Sequence, residues 1–242
     1  MDINWVSILR FTGAGLSICL PSIGCGYGEG RIAGRAAEAI TRQPKASADI
    51  VRSMLITQAV NETPGIFGLL VAVILLFVVP SSGGIAQAIT FLAAGLCIGI
   101  GGIGVGIGSG LAGSAACEAV GRLPNGSNKI ILNTLIGQAV VQTGHIFALV
   151  IALLLIFIVP PTFEFYKIGA VLGAGFSMGF GSIGACIGTG ITAQKAIIGL
   201  SKNLRNSFII TRTMLLGQAI TQTMAILPLI VSFLLLIMSG LM

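Results

Sequence analysis

Charge is what this sequence has least of. Only 8% of its 242 residues are Asp, Glu, Lys or Arg, while 55% are hydrophobic. Soluble domains carry about 25% charged residues. So few polar groups cannot cover a globular surface, which excludes an ordinary soluble domain and implies an integral membrane protein. A mean hydropathy of +1.03 agrees. Histidine occurs once, and the five cysteines (Cys19, Cys25, Cys97, Cys117, Cys186) show neither CxxC nor any metal-ligand spacing. They read as free, small packing residues. No nucleophile–base constellation and no soluble nucleotide-binding domain can be found, so the chain is expected to hydrolyse nothing itself. The start, MDINWVSILRFTGAGLSICL, lacks the basic region of a cleaved signal peptide and runs straight into a Gly-rich span. The net charge of +6 does not point to nucleic acid. Its basic residues cluster at the ends of apolar runs, as membrane topology requires.

What is there is a repeat. At an offset of 80 residues, without gaps, Gln58, Gln138 and Gln218 align, as do Thr63, Thr143 and Thr223. Gly24, Gly104 and Gly184 align in the preceding span, and so do Gly28, Gly108 and Gly188. The hairpin units run 1–80, 81–160 and 161–242. Each holds two apolar segments around a polar loop: RQPKASAD, RLPNGSNK and SKNLRNS. Helices are predicted at roughly 6–42, 50–79, 86–121, 128–159, 166–200 and 207–241, each longer than the ~20 residues that span a bilayer. The fold class is therefore an all-α membrane protein of six transmembrane helices in three tandem antiparallel hairpins.

Arg31, Arg35, Arg42, Lys45, Arg52, Arg122, Lys129, Lys195, Lys202, Arg205 and Arg212 lie toward the polar loops, and only Arg10 and Lys167 toward the other side. The polar loops are thus expected in the cytoplasm. The segments SIGCGYGEGRIAG, GGIGVGIGSGLAG and SIGACIGTGITA contain GxGxxG-like spacing, but no strand and no polar helix surround them. In a membrane helix such small residues let backbones approach. The odd-numbered helices are expected to form an inner layer, and the Leu-, Ile- and Val-rich even-numbered ones a lipid-facing outer layer.

Two carboxylates sit within these apolar spans. Glu29 lies 16 residues before Lys45 and Glu62 lies 16 after Ala46. An antiparallel hairpin places both at one depth, ~24 Å from its apex. A charge there costs at least ~2.5–3.5 kcal/mol, so a proton, a bound cation or a partner must neutralise it. Arg31 is close in sequence, but residues two apart on a helix point to different sides. The surrounding atoms suit a proton or cation. Thr63 supplies a hydroxyl, and Pro64 has no N–H, so the Val60 carbonyl loses its helical partner. Carboxylate, hydroxyl and free carbonyl are hard oxygen ligands of the kind alkali cations accept. The alternative is that the two acids share a proton and merely glue the helices together.

The hairpin GYGEGRIAGRAAEAITRQP followed by LITQAVNETPGIFGLLVAVILLF resembles the proteolipid, or rotor-ring component, of F-type rotary ATP synthases. The Gly-rich first helix, the Arg42-Gln43-Pro44 loop and the mid-membrane glutamate carry the likeness, which extends over the whole chain as three fused hairpins. Fused proteolipids with fewer carboxylates than hairpins are also typical of V-type rings and some sodium-translocating F-type rings. The resemblance implies a homo-oligomeric ring, or one mixed with other proteolipids, embedded in lipid in a bacterial plasma membrane. That c-ring would turn against the membrane stator and be joined to central stalk subunits through Arg42, Gln43 and Pro44. Partner subunits would handle ATP, and no cofactor is implied beyond the transported Na+ or H+. Glu62 matches the ion-carrying carboxylate, and Glu29 the first-helix position where sodium-binding members usually have Gln. Val60 matches their backbone-carbonyl ligand and Thr63 their hydroxyl ligand, which favours Na+ over H+. Phe67 and Pro64 depart from the sodium pattern, where Tyr and Thr are common. The second loop keeps Arg122 and Pro124; the third, Lys202-Asn203-Leu204, has lost most of the pattern.

At the Glu62 position the later repeats have Gln142 and Gln222, and at the Glu29 position Ser109 and Thr189. None of these can neutralise a cation, so one ion per six helices is expected, with Thr143 or Thr223 lending polar groups to a shared interface. Fewer ions per turn allow each to be driven against a steeper potential, which fits ATP-driven pumping. His145 reads as a neutral interhelical hydrogen-bonding group rather than a proton carrier. Glu38 and Glu118 read as surface ion pairs of little weight, and Pro21 and Pro228 as helix bends. Two other functions compete with this reading: a self-contained six-span transporter with threefold internal symmetry, and a non-transporting membrane scaffold.

Overall fold

The computed structural model describes residues 5–79, 84–158 and 165–241. The connections PSSGG and PPTFEF fall largely outside these residues. The first hairpin consists of α1 (Trp5–Arg42), α2 (Ser47–Asn61) and α3 (Thr63–Val73). The second consists of α4 (Ile85–Arg122) and α5 (Ser127–Phe157), and the third of α6 (Phe165–Lys202) and α7 (Ser207–Met238). A 3-10 turn forms each polar loop: Pro44–Ala46, Pro124–Gly126 and Leu204–Asn206. These turns run directly into the outer helices, so α2 and α5 start earlier than the sequence predicts, while α7 starts at 207 as expected. Among the described residues, six helices are long and apolar enough to cross a membrane. At 38 residues, α1 reaches ~57 Å, well beyond the ~30 Å hydrocarbon core.

One expected helix is not continuous. Residues 50–79 form α2, a break at Glu62, α3 and a π turn over Ile74–Val78. The cause of the break is Pro64, which cannot donate to the carbonyl one turn back. The counterparts of this helix, α5 and α7, run unbroken through Gln142 and Gln222. Pro21 and Pro228 lie inside α1 and α7, which run on through them.

The inner layer is a row in which α4 packs between α1 and α6. Its backbones touch because glycine leaves them room. A Cβ at Gly104 would come 2.5 Å from the Ile183 Cα, and one at Gly24 2.7 Å from the Ile103 Cα. The outer helices lie in the grooves of this row: α2 and α3 against α1 and α4, α5 against α4 and α6, and α7 against α6 and α5. Repeats 1 and 3 lie on opposite flanks of repeat 2, so the chain is an open row with two free edges. Ile23, Leu55, Ile66 and Leu69 are exposed in repeat 1, and Phe208, Leu216 and Ile220 in repeat 3.

Candidate functional site

The break in the outer helix lies at the acid. Glu62 ends α2 with φ −75° and ψ −16°, its N–H donating to the Gln58 carbonyl at 3.1 Å. Its own carbonyl accepts from the Gly65 and Ile66 N–H groups at 2.9 and 3.2 Å. On α1, Glu29 faces it across a cleft of about 370 Å³. Ile18, Ser22, Cys25 and Gly65 are among the residues that line this cleft with the two acids. Among the described residues no ion pair reaches either acid. Arg31, the nearest base in sequence, turns to Tyr27, its guanidinium 6.0 Å from the ring centroid. The pair at one depth is thus present, half-buried at Glu29 and exposed at Glu62, on a free edge of the row.

Two amides hold the hairpin closed on either side of Glu29. Gln58 Nε2 donates to the Glu29 carbonyl at 3.3 Å. Asn61 Nδ2 donates to the Cys25 carbonyl at 3.0 Å. Asn61 is fully buried and lies close to the Glu29 side chain. It fits only because Gly28 lacks a side chain: a Cβ there would come 2.7 Å from Nδ2. The sequence reading missed Asn61. Its signal was available, since repeats 2 and 3 have Val141 and Thr221 at that position.

Val60 and Thr63 are the other two residues expected to hold the ion. Neither lines the cleft with Glu29 and Glu62. The Val60 carbonyl does escape its helical partner, but it is not left free: it accepts from Thr63 Oγ1 at 2.8 Å and from Gln142 Nε2 of repeat 2 at 3.0 Å. The same bond recurs one repeat later, where Gln222 Nε2 donates to the Val140 carbonyl at 2.8 Å. Each spans 82 residues. A second ladder spans 81 residues, Gln138 Nε2 to the Thr57 carbonyl at 3.1 Å and Gln218 Nε2 to the Gly137 carbonyl at 3.0 Å. Gln142 and Gln222 therefore face backward, each to a carbonyl of the preceding repeat. Glu62 begins that series and has no preceding repeat in its own chain. Ile220 ends it: its carbonyl accepts from Thr223 Oγ1 at 2.6 Å, and among the described residues no other side chain reaches it. Ile220 is 72% exposed.

The remaining expectations fall elsewhere. Arg42, Gln43 and Pro44 are exposed at the loop end. Arg42 and Gln43 border a 250 Å³ cleft with Glu118 and Arg122. Arg35 and Arg42 both pair with Glu38, at 2.6 and 3.4 Å, and Arg122 pairs with Glu118. All three Arg side chains are substantially exposed, so these pairs contribute little. His145 is fully buried, and among the described residues neither ring nitrogen makes a hydrogen bond of good geometry, although the Pro64 backbone lies close to the ring. It packs as a ring against Phe67 instead of bridging helices through polar contacts.

Comparison with known proteins follows the same division of the chain. The family described as the C subunit of ATP synthase matches at residues 12–75, 92–155 and 172–235. The K subunit of the A-type ATP synthase of Methanocaldococcus jannaschii is 34% identical over 190 residues, which is 78% of this chain and 80% of that protein. The ATP synthase c subunit of Alkaliphilus oremlandii is 53% identical over 68 residues, 28% of this chain and 76% of that protein. That of Natranaerobius thermophilus is 49% identical over 71 residues, 29% of this chain and 81% of that protein. One relative thus covers most of the chain, while two others are about one hairpin long. The chain belongs to the c-subunit family of ATP synthases, as three fused copies of that non-catalytic membrane rotor component.

Proposed function

We propose that the chain carries one Na+ per copy on Glu62 as a ring of such chains turns in the membrane. The site forms at the seam between repeat 1 of one copy and repeat 3 of a second. The observation that carries this reading is the ladder of 82-residue hydrogen bonds. Position 142 addresses the Val60 carbonyl, and position 222 addresses the Val140 carbonyl. Continued by one step, the series brings Glu62 to the Ile220 carbonyl of a second copy, with the Thr223 hydroxyl beside it. Glu62 and Glu29 then supply carboxylate oxygens from one side of the seam, while Ile220 and Thr223 supply carbonyl and hydroxyl oxygens from the other. Hard cations select such all-oxygen sets. The ligand roles read from the sequence at Val60 and Thr63 thus pass to their repeat-3 equivalents, Ile220 and Thr223.

Within the chain the equivalent seams hold amides, which cannot ionise, so one ion moves for every three hairpins that pass the stator. Moving one charge against 100 mV costs about 2.3 kcal/mol, and spreading the work of a turn over fewer ions raises the potential each can be driven against. That gearing suits ATP-driven pumping. The excess of Lys and Arg at the polar loops favours a cytoplasmic position for them in a bacterial plasma membrane, where Arg42, Gln43 and Pro44 are placed to meet the central stalk. A threefold transporter within one chain would need repeats 1 and 3 packed together. They flank repeat 2 instead.

The test is carbodiimide labelling of the purified ring across a pH series, with and without Na+, read by mass spectrometry. Label on Glu62 that Na+ suppresses is the expected result. Label that follows pH and ignores Na+ would assign H+ instead. No label on Glu62 at any pH would remove the ion-carrying role.

A further inference from the structure

The two seams inside the chain are built alike around Gln142 and Gln222, but only one holds a large additional group. His145 lies one helical turn after Gln142 on α5 and is fully buried. Its ring stacks on Phe67 of α3, with centroids 5.7 Å apart and planes 17° from parallel. Across from it α4 presents Gly101 and Gly102, where an added Cβ would come 3.5 Å from Nδ1 and 3.2 Å from Cε1. Pro21 of α1 borders the same notch. The repeat puts Gly65 at the equivalent position in repeat 1 and Ala225 in repeat 3. Gly65 lines the open cleft of Glu29 and Glu62. The imidazole therefore fills, at the seam between repeats 1 and 2, the space that the first repeat leaves open beside its acid.

We propose that His145 is a second barrier at this first internal seam, one that would keep it out of ion exchange even if an acid stood in place of Gln142. It acts in two ways. With Phe67 it occupies the approach to position 142 from the side where the cleft opens in repeat 1. It also sits three residues from that position, and residues so spaced on a helix are neighbours. Its ring would offer a carboxyl introduced there an internal hydrogen-bond partner in place of an incoming ion. Restoring an acid at Gln142 is then not enough to restore a site. The seam between repeats 2 and 3 has only a methyl, Ala225, in the corresponding place. Gln142 and Gln222 are equally buried, each 7% exposed, so burial of the amide itself does not distinguish the two seams.

This inference rests on the reading of Glu62 as the ion-carrying carboxylate, and label on Glu62 in the same rings checks that reading separately. The experiment is carbodiimide labelling of rings carrying Q142E, Q142E with H145G, Q142E with H145A, and Q222E. A carboxyl walled off by the ring and hydrogen-bonded to it is withdrawn from reagent and ion, so position 142 should label about tenfold less than Glu62 while His145 is present. Label at that position should rise to the level of Glu62 in either double variant and be suppressed by Na+. The H145A variant recreates the repeat-3 arrangement and guards against a glycine that destabilises α5. Q222E alone should label. Label at position 142 equal to that of Glu62 with His145 intact would overturn the proposal. So would a silent position 142 after both His145 changes, or a silent Q222E. Loss of label at Glu62 itself would instead sink the ion-site reading, and this inference with it.

Discussion

One position tests how two copies of the chain meet. Gly24, Gly104 and Gly184 are equivalent in the three repeats. The first two meet the same neighbour on the next inner helix, the Cα of Ile103 and of Ile183, at 2.7 and 2.5 Å from an added Cβ. Gly184 meets nothing within 4 Å. The residue that continues the series is Ile23 of a second copy, 62% exposed in the single chain. Carbon contacts are comfortable at roughly 3.5–4.0 Å, so a methyl at Gly104 must push α4 and α6 apart by about 1 Å. The obstacle is backbone, and no side-chain rotation relieves it. Overpacking of this kind costs about 1–3 kcal/mol. G104A should therefore lower the detergent concentration at which the separated chain loses helicity, followed by circular dichroism. G184A should not, because alanine is the better helix former by roughly 1 kcal/mol and nothing in the chain resists it. In a ring closed in the register of the internal seams, the same methyl strikes Ile23 at every joint. The expected loss is about 1–3 kcal/mol per joint, or about 5- to 150-fold in association. Native mass spectrometry and the detergent resistance of the ring would report it. G184A rings as resistant as unmodified rings would refute the reasoning, because the chains would then not meet in the register that repeats 1 to 3 share.

Other outcomes follow from the same contacts. Q142L removes the donor to the Val60 carbonyl and should cost about 0.6–1.7 kcal/mol of chain stability, read from detergent unfolding, with label on Glu62 unchanged. N61A removes the Cys25 tie and should cost roughly 1 kcal/mol; it should also weaken Na+ protection of Glu62, since Asn61 lies beside Glu29. E62Q should leave ring assembly intact while abolishing both carbodiimide label on α2–α3 and Na+ uptake by reconstituted complexes. R122A breaks an exposed pair with Glu118 and should shift chain stability by less than about 1 kcal/mol.

The hairpins were legible because their signals are local and periodic. An 80-residue self-match, apolar runs of spanning length and a polar loop in each unit fix the helices before any contact is known. Gly24 and Gly104 marked the inner layer because close approach of backbones leaves a compositional trace. The Glu29–Glu62 pair was legible because hairpin geometry converts equal distances from the apex into equal depth. What the sequence did not reveal was how one repeat bonds to the next. Pro64 correctly predicts a disturbed helix at the Val60 carbonyl, but the partner of that carbonyl, Gln142, lies 82 residues away, and no local pattern names it. Local reasoning therefore assigns Val60 and Thr63 to the acid of their own hairpin. His145 escaped for a similar reason. A lone histidine in an apolar run looks like a hydrogen-bonding group, and only packing reveals a ring stacked on Phe67 over two glycines.

The replacement of glutamate by glutamine in two repeats has a physical logic of its own. A protonated carboxyl and a carboxamide can both donate a hydrogen to a backbone carbonyl across a seam, so the amide reproduces the closed form of the site. It cannot reproduce the open form, because it has no proton to exchange. Gln142 and Gln222 therefore keep the two internal joints permanently closed. They also remove the ~2.5–3.5 kcal/mol that an ionised group would cost each time it appeared in the apolar layer. A leucine would avoid that cost as well, but it would leave the Val60 and Val140 carbonyls without their cross-repeat donor. Covalent fusion and amide substitution thus point the same way. The joints that the chain makes internally are fixed by a bond that cannot ionise, and the proposed function reserves Glu62 for the joint between copies.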